Sequence, residues 1–121
     1  MNTYGIVVGR ALIGLLFVVA GVGKAMGVDA TTAMIDASGL PFAALLAYLT
    51  IIIEIVGGAA LILGWKAKYA AGVLIVFTVV ATLIYHTDFP EQMMQFLKNA
   101  AVIGGLLYVH TYGAGKMALD R

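Results

Sequence analysis

Residues 41–64 read PFAALLAYLTIIIEIVGGAALILG, an apolar run interrupted near its middle by one charged side chain, Glu54. An α-helix needs roughly 20 such residues to cross the hydrocarbon core of a bilayer. A carboxylate at that depth costs about 3 kcal/mol or more unless a partner or water compensates it, so Glu54 is a candidate functional residue by default.

Three further apolar runs flank this one, giving candidate helices over residues 4–26, 42–64, 69–85 and 93–112. None alternates polar and apolar residues as a lumen-lining strand would. Of the 121 residues, 63% are hydrophobic and 11% are charged, whereas a soluble domain carries about 25% charged residues. The expected fold is therefore all-α: a single-domain, four-helix transmembrane bundle spanning residues 1–121. Arg10 followed by an apolar run and Val18-Val19-Ala20 imitates a signal peptide, but apolar residues also precede Arg10. A retained membrane helix is the expected reading. Residues 27–41, with two aspartates, Ser38, Gly39 and Pro41, read as the one long loop.

Basic residues near helix ends set orientation. Arg10, Lys66, Lys68, Lys116 and Arg121 fall on the side of both termini, whereas Lys24 and Lys98 share the other side with Asp29, Asp36, Asp88 and Glu91. Both termini are expected in the cytoplasm.

Several chemistries drop out. The chain has no cysteine, which excludes disulfides and cysteine-ligated clusters within it. The net charge is +1 with no basic run, so nucleic acid is not an expected partner. His86 and His110 fall at opposite ends of the bundle and are not placed to share a haem. No spacing suits zinc, so no metal is expected. Residues 21–27 lack the full phosphate-loop pattern and follow no strand.

The remaining polar residues gather on inward stripes. Arg10, Gly14, Phe17, Gly21 and Lys24 are spaced 4, 3, 4, 3 along one face of the first helix. Glu54 shares a face with Ile51, Gly58 and Leu61, and Thr78, Thr82 and His86 share another. Gln95, Lys98 and Asn99 lie on the last helix. Counted at about 1.5 Å per residue, Arg10 and Glu54 differ in depth by about 6 Å, within reach of a guanidinium. Lys24 lies more than about 10 Å from Glu54 by the same count. An Arg10–Glu54 ion pair is thus expected, with Lys24, His86, Lys98 and Asn99 forming an outer cluster suited to an anion or a polar carbonyl head group. The bland alternative is that the lysines snorkel to the interface and His86 caps its helix.

Taken in order, these residues resemble the DoxX family of small bacterial membrane proteins. The first helix carries Arg10, Gly14, Phe17, Ala20-Gly21 and Lys24; Gly39-Leu40-Pro41 opens the second, followed by Glu54, Gly57-Gly58 and Gly64. Lys98, Gly104-Gly105-Leu106-Leu107 and Gly113-Ala114-Gly115 with Leu119-Asp120 complete the pattern. The resemblance implies an inner-membrane protein linked to quinone-dependent respiration or to membrane oxidoreductase complexes, with Arg10, Lys24, Glu54 and Lys98 as its functional positions.

The leading expectation is a membrane subunit of a quinone-linked oxidoreductase. It would bind a quinone head group or small anion near Glu54 and Lys24, with Glu54 transferring a proton. No cofactor is expected to be held by this chain alone apart from quinone, and electrons would come from other membrane or redox subunits. The alternatives are a non-catalytic assembly subunit clipped by Arg10–Glu54, and a small carrier or proton pathway, favoured by a homo-oligomer.

Overall fold

The computed structural model describes residues 3–85 and 91–113. Five α-helices follow in order: α1 (Thr3–Ala25), α2 (Val28–Ala37), α3 (Ala43–Leu63), α4 (Ala67–Tyr85) and α5 (Met93–Tyr112). Three of them, α1, α3 and α4, are long and apolar enough to cross a membrane. Helix α5 is as long, at 20 residues, but Gln95, Lys98 and Asn99 occupy its first half.

The stretch 27–41, expected to be a loop, contains α2, and that expectation is corrected. Its polar residues disguise a helical stripe. Thr31 and Ile35, one turn apart, are the two buried positions of α2. Asp29 lies in the first turn, where a carboxylate favours the helix dipole. Thr31 Oγ1 donates to the Gly27 carbonyl at 3.2 Å, and Ser38 Oγ closes the helix by donating to the Ile35 carbonyl at 2.6 Å.

Helix α3 ends at Gly64, whose φ of +74° lets the Trp65 N–H return to the Ala60 carbonyl at 2.9 Å. Glycine adopts that left-handed conformation without a Cβ clash. The chain then reverses directly into α4. Helix α5 runs back along α4, where His110 Nδ1 lies 2.9 Å from the Lys68 carbonyl.

Helices α1 and α3 make the most extensive contact in the molecule. They run antiparallel, because Arg10 meets Leu61, Gly14 meets Gly58 and Gly21 meets Glu54. A Cβ at Gly14 would lie 2.5 Å from the Gly58 carbonyl oxygen, and one at Gly58 would lie 2.6 Å from that of Gly14. The backbones therefore touch, as glycine permits in apolar surroundings. Helix α4 packs on α3 and α5, and α5 returns to α1, where Ile13 covers Gly105. Phe17, Leu61, Leu74, Leu106 and Val109 form the core, toward the end that bears the α3–α4 turn. Large apolar side chains such as Leu12, Val19, Leu45, Ile52, Val56 and Val76 point outward and are exposed, a surface too apolar for water but matched to lipid.

Candidate functional site

Glu54 is buried at the middle of α3 and faces α1. Gly21 brings α1 close there, since a Cβ at that position would lie 3.1 Å from Glu54 Cβ. One turn further along α1, Lys24 Nζ donates to Glu54 Oε1 at 2.8 Å. The Glu54 side chain is 6% exposed and that of Lys24 is 29% exposed, so the pair joins a buried carboxylate to a partly solvated ammonium.

The expected Arg10–Glu54 pair is replaced by this one. Arg10 is 2% exposed, and its Nη1 donates to the Leu61 carbonyl at 3.1 Å. That carbonyl is seven residues, or about 10 Å, along α3 from Glu54. Counting depths from helix ends missed the direction in which side chains lean. In any α-helix the Cα–Cβ bond tilts toward the N-terminus. On antiparallel helices Lys24 leans down α1 while Glu54 leans up α3, and the two converge. Arg10 leans the same way as Lys24, toward the turn end, but it already lies on that side of Glu54, so its tilt carries it away. The tilt and the length of lysine close a gap that rise per residue alone left open.

Lys24 and Glu54 open onto a cavity of about 590 Å³, within the range of roughly 300–1,000 Å³ typical of small-molecule sites. Every helix contributes to its wall. Lys98 and Asn99 line it from α5, so the structure brings together Lys24, Glu54, Lys98 and Asn99. His86 lies outside the described residues. On the α4–α5 wall Gln95 Nε2 donates to Asn99 Oδ1 at 3.2 Å, and Asn99 Nδ2 donates to Thr82 Oγ1 at 2.9 Å. One turn below, Thr78 Oγ1 is buried on the cavity wall with no hydrogen-bond partner among the described residues. A buried hydroxyl left unsatisfied costs about 1–3 kcal/mol, so it is a natural anchor for a ligand atom.

Sequence reading placed Thr78 on an inward stripe without assigning it to the site, and it missed Thr31 and Ile35 of α2 entirely. The signal for the latter was their four-residue spacing behind Asp29. Among the described residues no three His, Asp or Glu side chains converge as a metal site would require.

The site carries two poles. The Lys24–Glu54 pair holds a donor and an acceptor on the α1–α3 side, and Thr78 with Asn99 offers hydroxyl and amide groups on the α4–α5 side. Between them the wall is largely aliphatic, with Phe17 and Phe77 as its phenyl rings. A compact head group with oxygens at its two ends fits that distribution, and Lys98 adds a cation for an anionic one.

The DoxX family model matches residues 5–87. The inner membrane protein YqjF of Escherichia coli (strain K12) is 32% identical over 123 residues, covering 100% of this chain and 93% of the relative. The inner membrane protein YphA of the same organism is 26% identical, covering 96% of this chain and 88% of the relative. No solved structure matches the chain.

Proposed function

The chain belongs to the DoxX family, and from that premise we propose that it is an inner-membrane subunit of a quinone-linked redox system whose cavity holds the quinone head group. The observation that carries this reading is the Lys24–Glu54 pair opening onto a cavity of about 590 Å³ with the Thr78 hydroxyl on the opposite wall.

The residue types suit a quinone ring: Lys24 and Thr78 would donate to carbonyl oxygens at its opposite ends, and Phe17, Phe77 and the aliphatic wall would exclude water from its faces. Quinone, when bound, accepts two electrons and two protons. Glu54 is placed to hold a proton at its carboxyl and pass it on, with Lys24 setting its charge balance. With no cysteine in the chain for an iron–sulfur cluster, the electrons are assigned to a partner subunit.

In this reading α1, α3, α4 and α5 form a four-helix transmembrane bundle with both termini in the cytoplasm. The support is sidedness: Trp65, Tyr69, Tyr108 and Tyr112 are exposed at the turn end, beside Lys66 and Lys68. That pattern of aromatic belt and basic residues suits a cytoplasmic face.

Affinity purification from a mild detergent, with mass spectrometry of co-purifying chains, should recover a flavin, haem or copper oxidoreductase. In that complex Glu54→Gln, which keeps an oxygen to accept from Lys24, should lower quinone-linked turnover per recovered complex on the order of a hundredfold. Full activity in the variant would end the proton-transfer reading. A second reading, an accessory subunit, is favoured by one observation: the same ion pair also ties α1 to α3. It expects a non-redox assembly in the purification and loss of protein level in Glu54→Ala.

A further inference from the structure

The cavity shares part of its wall with the outside of the molecule. Leu49 of α3 and Val80 and Ile84 of α4 line it, yet they are 43%, 50% and 39% exposed. Side chains meet both conditions only where the wall is parted or one residue thick. The packing of α3 explains why. Near the turn end Gly57 admits the fully buried Leu74, to within 3.1 Å of a Cβ built at that glycine. From there to the middle of the helix α3 is held against α1 through Gly14, Gly58 and Gly21, and toward the α2 end the facing side chains of α3 and α4 border the cavity instead of closing on each other.

At the α2 end Thr31 and Ile35 line the cavity and are buried, so α2 covers it in part, while Lys24 and the exposed Met34 and Lys98 leave an edge there that water reaches. The exposed residues of the side gap, Leu49, Val80 and Ile84, are apolar; such side chains repel a hydrated ion and match a hydrocarbon chain.

We infer that the gap between the N-terminal half of α3 and the C-terminal half of α4 is a lateral portal from the lipid, and that the ligand is an amphiphile. Its compact head, bearing carbonyl or anionic oxygens, sits between Lys24–Glu54 and Thr78, and its apolar tail lies out between Leu49 and Val80. This rests on the head-group reading proposed above and adds to it the route of entry and the need for a tail.

The test uses two probes that share one ring, decylubiquinone and its tail-less counterpart ubiquinone-0, binding the full chain in lipid nanodiscs. Leu49→Trp with Val80→Trp fills the gap without touching the polar poles. Association of decylubiquinone should slow by about tenfold or more, as when binding must wait for an opening, while ubiquinone-0, which carries no tail and can enter past Lys24 and Lys98, is unaffected. Equal slowing of both probes, or of neither, overturns the portal. A quinone with a photoreactive tail, bound to the unmodified protein, gives an independent readout. It should label residues 46–53 and 77–84, and labelling confined to α1 or α5 overturns the assignment. If neither probe binds the unmodified protein, the head-group reading itself fails and the portal falls with it.

Discussion

Lys24 and Glu54 show how two charges persist where neither is affordable alone. Glu54 is nearly enclosed by apolar helices, and its one ionic partner among the described residues is Lys24 at 2.8 Å. Removing one member of such a pair strands the other charge, which typically costs about 3–5 kcal/mol, whereas replacing both with apolar groups is often neutral. Lys24→Met should therefore destabilise by about 3 kcal/mol, at the low end of that range because the ammonium keeps some solvent. Lys24→Met combined with Glu54→Leu should recover most of it. Thermal unfolding in detergent measures both, and a double variant no better than the single one would contradict a charge-stranding origin. The sequence revealed Glu54 through its isolation in an apolar run and Lys24 through its place on the Arg10 stripe. It did not reveal their partnership, because rise per residue carries no information on side-chain tilt.

Helices α1 and α3 act as one unit because glycine replaces side chains along their seam. A Gly→Ala change in a helix interior ordinarily adds up to about 1 kcal/mol of stability. At Gly58 the sign should reverse, since the new methyl would sit 2.6 Å from the Gly14 carbonyl oxygen and 2.9 Å from the Val18 side chain. Gly58→Ala is expected to cost about 1–3 kcal/mol, the usual penalty for overpacking. Gly104→Ala, where nothing lies within 4 Å, should be neutral or mildly stabilising. The pair of unfolding curves separates close helix contact from a general effect of glycine. The seam was legible as a spacing of small residues, but α2 was not. Its two buried positions sit among aspartates and threonines, and a helix of 10 residues shows too few turns for its periodicity to stand out.

At the scale of the whole molecule, the helices reverse direction from α1 to α3 to α4 to α5, and the amphipathic α2 caps one end of the cavity. A chain without cysteine allows orientation to be read from single introduced thiols. Trp65→Cys, at the α3–α4 turn, should resist a membrane-impermeant maleimide in intact cells and react after permeabilisation. Asp36→Cys, in α2, should react in intact cells. The reverse pattern would invert the topology, and equal labelling of both would deny that α3 crosses the membrane between them.

The amino-acid sequence determined the medium and the four long helices of this protein, because hydrocarbon admits only long apolar segments with internally satisfied backbones. It also picked out Glu54, Lys24, Lys98 and Asn99, since polar side chains are conspicuous against an apolar background. Only the tertiary structure decided that these four line one cavity, that Glu54 answers to Lys24 and not to Arg10, and that the wall parts between Leu49 and Val80. Those outcomes depend on helix offset, on tilt and on where a glycine lets one backbone approach another. Each is a property of two helices at once, and so none is written in the pattern of either.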